Sequence, residues 1–166
     1  MVATILVVVP GTESPNPGPS LNVLESRLER QPMKLTLIPA NTRMEANGDG
    51  ESFDISSSAT RTFLCILCVA DQLEQESLDV SIYGSADRTT WTPKPLLKLP
   101  QQFYRGHTKM VFDLSLRQEI KFIRARWELN RWGRGAPRPM FVAGLELTEV
   151  PQMSRETPGR SAVAAR

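Results

Sequence analysis

The sequence predicts an all-β fold, a single antiparallel β-sandwich or jelly roll, and three observations carry that expectation. Apolar residues recur mostly with a period of two, the mark of half-buried strands. Thirteen prolines and ten glycines among 166 residues favour short elements joined by turns over long helices. Seven or eight candidate strands follow one another at close spacing, with no long helical period and no internal repeat.

Residues 1–33 read as an extended N-terminal arm. Ala3 to Val9 (ATILVVV) is apolar and strand-like, and Pro10-Gly11 ends it. The stretch from Pro10 to Pro19 holds four prolines and two glycines, so it sustains neither helix nor ladder. Ser20 to Arg30 offers one or two helical turns with Leu21, Leu24 and Leu28 on one face.

The sandwich domain is placed at 34–150. Lys34–Ile38 opens it, and Phe53 and Ile55 alternate with Asp54 before a Ser-rich turn. Residues 61–70 form a near-continuous apolar run, as expected of a central strand. Leu78, Val80 and Ile82 alternate with Asp79, Ser81 and Tyr83. Pro93 and Pro95 make the next segment an edge or a loop. Lys109–Leu116, Glu119–Leu129 and Met140–Val150 complete the set. Residues 151–166 form a C-terminal tail with little apolar content.

Size and composition bound the function. A chain of this length buries one substantial core, and a net charge of +2 is too small for a dedicated polyanion binder. The charge is uneven along the chain. Residues 41–90 carry nine acids and three bases, whereas residues 105–138 carry nine bases and three acids. If these segments lay on different faces, the molecule would be a dipole able to attract a copy of itself head to tail. If the strands interleave, the charges cancel locally. Seven apolar residues fall far short of the roughly 20 that span a bilayer, and no positive residue precedes Ala3. The expectation is a cytoplasmic protein without a membrane span, or one released by a route other than a cleaved leader.

Cys65 and Cys68 form a C-x-x-C pair, but inside an apolar run rather than at a helix N-terminus, where a thiol is activated. At strand spacing their side chains point to opposite faces, so the sulfurs cannot easily meet, and buried, reduced structural thiols are expected. His107 is the one histidine, which leaves no obvious metal set, and no cofactor is expected.

Leu78-Asp-Val-Ser-Ile-Tyr-Gly-Ser-Ala-Asp-Arg-Thr-Thr-Trp91 resembles the strand and S-x-D-G-x-x-W turn of discoidin-like, galactose-binding-like domains. Glu119–Trp127 resembles their "aRYIRi" strand, and Met140–Leu147 their closing strand. The resemblance covers about residues 50–149. Arg88 stands where the family's turn has glycine, the terminal disulfide is absent, and the closing strand lacks its arginine. The resemblance implies a jelly roll that binds glycans, lipids or proteins through loops, without carrying over a ligand site.

Trp91 reads as core, and Trp127 shares the face of Ile123 and Ala125. Trp132 lies in a loop with glycines, prolines and Arg131, Arg134 and Arg138. It suits an interface anchor, a stacking platform for a sugar or base, or a plug for the sandwich end. No G-x-S-x-G, glycine phosphate loop or H-E-x-x-H is present. Paired carboxylates among Glu74, Glu76, Asp79 and Glu128 are the remaining catalytic candidates, so the chain is read as no enzyme. The leading reading is a structural subunit that assembles with copies of itself into an oligomer, tube, filament or shell. Its interface is assigned to Val7, Val8 and Val9 of the arm, adding to a neighbour's sheet, and to Arg131, Trp132 and Arg134. The alternative is a carbohydrate-binding module using Trp132, and nucleic acid is the least favoured partner.

Overall fold

A computed structural model describes residues 31–134 and 138–151. The N-terminal arm to residue 30, with Val7, Val8 and Val9, and the tail from residue 152 lie outside the described residues. Eight strands follow in order: β1 (Lys34–Met44), β2 (Gly48–Asp54), β3 (Thr62–Gln72), β4 (Glu76–Ser85), β5 (Leu97–Lys98), β6 (Gly106–Asp113), β7 (Phe122–Arg131) and β8 (Phe141–Glu149). Among the described residues there is no helix.

The strands build two antiparallel four-stranded sheets, ordered β1-β8-β3-β6 and β2-β7-β4-β5. The topology has a simple rule. β4 pairs with β5, β3 with β6, β2 with β7 and β1 with β8, so the chain is one long hairpin wound on itself. The β3–β8 and β4–β7 ladders then join these pairs into sheets. This is the eight-stranded jelly roll, an all-β sandwich as the strand pattern predicted.

Alternation sorts each strand. β3 turns Phe63, Cys65, Leu67 and Val69 inward, and β8 turns Phe141, Ala143, Leu145 and Leu147 the same way. Leu78, Val80 and Ile82 of β4 meet them from the other sheet with Ile123 and Ala125 of β7. Cys65 therefore sits in the core, where burial pushes its thiol up to about 12. Cys68 is half-buried on the outer face and not buried as expected, because alternation turns it away from the core, and both cysteines are free. Trp127 is half-buried against the core and donates its indole N–H to the Ala46 carbonyl at 3.0 Å.

Several boundaries differ from expectation. β1 runs on to Met44 because irregularities between Thr36 and Thr42 let it follow β8 beyond Ile38. The backbone of Ala40 there crosses the outer face of Gly144, where an added Cβ would come within 2.8 Å of the Ala40 Cα. β6 begins at Gly106, ahead of the expected Lys109, so His107 is on a strand. Leu114 to Lys121 form turns instead of continuing either strand. Trp91 is half-buried outside the core, with the Arg124 guanidinium 4.2 Å from its ring centre.

The turn after β4 explains one departure from the discoidin-like pattern. Arg88 adopts φ +69°, the left-handed conformation that a glycine supplies most easily. Asp87 stabilises the turn by accepting from the amides of Thr90 (2.7 Å) and Thr89 (2.9 Å), which hold its carboxyl well below the ordinary range. The guanidinium of Arg88 lies 4.6 Å from the Phe122 ring centre.

The two charge-biased segments do not separate into faces. Basic β7 lies between acidic β2 and acidic β4. Arg124 approaches Asp49 at 3.8 Å, and Arg131 approaches Glu76 at 3.7 Å. The fold thus interleaves the charges, and the head-to-tail dipole expectation fails for that reason.

At the end where β3 begins, two buried charged groups hold the loops. Arg61, at φ +56°, donates to the carbonyls of Leu114, Arg117 and Ile120. Glu149 accepts from the amides of Met33 (3.0 Å) and Thr60 (2.8 Å) and from the hydroxyl of Ser58 (2.7 Å). Burial by itself would raise the Glu149 pKa, but these donors outweigh it and bring the carboxyl from an ordinary 4.5 to about 2. A depressed folded-state pKa means stability that is present above about 4.5 and lost as the pH falls towards 2. Allowing for screening at this loop-lined rim, Glu149→Gln is expected to cost about 2 kcal/mol at neutral pH. Urea unfolding at pH 7, 4.5 and 2.5 should show that gap closing as the wild type loses its advantage. A gap that stays constant with pH would assign the cost to shape and not to charge.

Candidate functional site

The opposite end of the sandwich is where the unusual surface lies. Three connections meet there: the β3–β4 turn, the β5–β6 segment and the chain leaving β7. This end exposes three aromatic rings together. Phe103 is 41% exposed, Tyr104 78% and Trp132 58%. The Phe103 ring centre lies 6.1 Å from that of Trp132, edge to face, and 6.5 Å from that of Tyr104. Such pairs are favourable in themselves, so the three rings form one patch.

The patch borders a cleft of about 300 Å³ whose other wall is polar, formed by Gln72, Glu74, Gln75 and Glu76. The local chain explains how these residues converge. Gln75 takes φ +60° to close the β3–β4 turn, and its carbonyl accepts the amide of Trp132 at 3.1 Å. Glu76, with a fully buried side chain, accepts from the amides of Leu73 (2.9 Å) and Met140 (3.0 Å), tying the β3–β4 turn to the β7–β8 connection. The buried Oε1 of Gln72 has no hydrogen-bond partner among the described residues, nor does the Nε of Arg131.

The residues chosen from sequence fall into different places. Trp132 is exposed and central to the patch, so it does not plug the sandwich end. Arg131 lies on the inner side of β7 with its side chain only 16% exposed, and its guanidinium spans Glu76 and the Glu74 carbonyl. It supports the site from beneath instead of presenting a contact. Arg134 is exposed beside the loop residues 135–137, which lie outside the described residues. Of the carboxylates weighed for catalysis, Glu76 is committed to backbone amides, while Asp79 pairs with Lys98 at 3.2 Å on the outer face. Among the described residues, no group of three or more His, Cys, Asp or Glu is placed to hold a metal ion. No helix there is long and apolar enough to cross a membrane.

Sequence reasoning missed Phe103 and Tyr104. A signal was present: two adjacent aromatics between Pro100 and Gly106, in a segment too short and irregular to bury both.

No family model matches this chain. No curated protein matches it significantly either, so the discoidin-like resemblance has no support from a family match. Among solved structures, the coat protein of Tobacco streak virus is similar at 13% identity, over 84% of this chain and 99% of that one, with a TM-score of 0.30.

Glu76→Ala should destabilise the fold by about 3 kcal/mol, since it leaves two loop amides and the Arg131 guanidinium without their acceptor. Trp132→Ala should change stability by less than about 1 kcal/mol, because the ring is mainly exposed. Thermal and urea unfolding of both variants checks this. A large loss from Trp132→Ala would return that residue to the core.

Proposed function

We propose that this chain is a non-catalytic structural subunit that associates with copies of itself, anchored by the aromatic patch at one end of the sandwich. The observation that carries the reading is the contiguous exposure of the three aromatic rings of Phe103, Tyr104 and Trp132 at one end of the sandwich. The neighbourhood favours the same use. The patch runs directly into β6, an edge strand that pairs with no second strand among the described residues. An open edge next to aromatic anchors suits strand addition, in which main-chain hydrogen bonds supply affinity and side-chain pockets supply specificity. In this reading the apolar segment with Val7, Val8 and Val9 is the added strand, and residues 1–33 and 151–166 act as arms. The protein is then an intracellular or particle-associated subunit.

A second reading rests on the polar wall of the same cleft. Glutamine and glutamate side chains facing an aromatic wall suit the hydroxyls and apolar face of a sugar ring. It agrees with what the discoidin-like resemblance implies.

The deciding measurement is the mass of the full-length protein by light scattering, with negative-stain images of the same sample. Assemblies well above 18.6 kDa are expected. Trp132→Ala should weaken the association by about tenfold or more with the fold intact, and deletion of residues 1–19 should abolish extended assembly. A monomer at all concentrations that binds a glycan array through Trp132 would replace this reading with the second one.

A further inference from the structure

The outer faces of the two sheets differ. On β2-β7-β4-β5 the half-buried aromatics carry arginines of the same chain: Arg88 on Phe122, Arg124 on Trp91 and Arg126 near Tyr83. The outer face of β1-β8-β3-β6 has no such cover among the described residues, and its centre is apolar. Alternation along β3 turns Leu64, Ile66 and Cys68 outward. Val111 of β6, beside Leu64, is 62% exposed. A solvated face of an antiparallel sheet is ordinarily polar.

The charges on this face stand at its flanks. Ile66 is paired on one side with Lys109 of β6 and on the other with Glu146 of β8. The relief is equally lopsided. The Ala40 backbone rises over Gly144 on the β8 side, whereas β6 on the other side is the open edge of the sheet. Between them lies a groove of about 200 Å³, with Ile66, Cys68 and His107 among its lining residues.

This lopsidedness selects an occupant. A two-fold axis lying in the interface and parallel to β3 exchanges the two flanks and sets each β3 residue opposite its own copy. Lys109 of each chain then faces Glu146 of the other, the raised Ala40 flank meets the β6 edge, and Ile66 meets Ile66. An axis across the strands would instead set Lys109 against Lys109. We propose that this face is an isologous dimer interface, with a second copy of this chain docked β3 against β3 about the first axis. It is a surface separate from the aromatic end. The two together convert a closed pair into a unit that the end patches extend.

The test uses full-length protein with and without Trp132→Ala, in wild type, Lys109→Glu, Glu146→Lys and the double exchange. Light scattering across a concentration series gives the mass, and a short bismaleimide reports whether Cys68 of two chains meet. Trp132→Ala should leave a dimer. Each single charge reversal should weaken it at least about tenfold, and the double exchange should restore it. The bismaleimide should join two chains, and Cys68→Ser should stop it, since Cys65 is buried. A Trp132→Ala protein that is monomeric throughout overturns the face interface and leaves the aromatic-end reading standing. So does a Cys68 shielded from maleimide in the monomer by residues 1–30 of its own chain, and so does a dimer indifferent to the charge reversals. A wild type that never exceeds the dimer, whatever stands at position 132, removes the aromatic-end reading alone.

Discussion

The packing of β3 and β8 at the middle of one sheet against β4 and β7 at the middle of the other is the interaction on which the remaining structure depends. These four strands supply most of the wholly buried side chains, from Phe63 and Phe141 to Leu78 and Ile123. Because each sheet must bury one face, alternation along every strand is constrained at once, and a slip of one residue would turn a whole apolar set outward. The nested hairpin order follows from the same demand. β1 and β2 reach the sheets only by pairing with β8 and β7 at the far end of the chain, so much of the ladder is long-range, which is the topology expected to fold slowly.

A sandwich closed in this way still leaves backbone groups unpaired at both ends, and here charged side chains satisfy them. Arg61 and Glu149 serve the end where β3 begins, through carbonyls and amides respectively. Glu76 serves the other end through the amides of Leu73 and Met140. Buried charges are tolerable when their hydrogen-bonding capacity is filled. The consequence is functional. With the β3–β4 turn and the β7–β8 connection fastened by Glu76, the neighbouring aromatic rings are held on a fixed base and lose little freedom on binding.

The two outer faces and the aromatic end divide the surface into parts with different chemistry. One face is finished by its own arginine–aromatic contacts. The other presents a short apolar stripe with opposite charges at its flanks, and the end carries exposed rings beside an open edge strand. In the proposed reading, the apolar face and the aromatic end would be the two kinds of contact that extended assemblies require.

Much of the fold was legible because it is written in local pattern. The alternation of Leu78, Val80 and Ile82, the apolar run at 62–70 and the opposed faces of Cys65 and Cys68 follow from the strand period alone. The turn at Asp87–Thr90 was legible from residue type, even with Arg88 in the glycine position. What the local pattern left open was decided by contacts between distant segments. Whether acidic and basic stretches form a dipole depends on strand order, and placing β7 between β2 and β4 cancels it. Arg131 and Trp132 are neighbours in sequence, yet the end of β7 turns one towards buried Glu76 and leaves the other in solvent. Phe103, Tyr104 and Gln72 join Trp132 only because three loops from separate parts of the hairpin meet at one end. By itself the sequence determined which residues alternate, and hence the strands and the buried face of each. The tertiary structure alone decided which surfaces stand side by side, because strand order and loop convergence arise from pairing across the whole chain, which no local window contains.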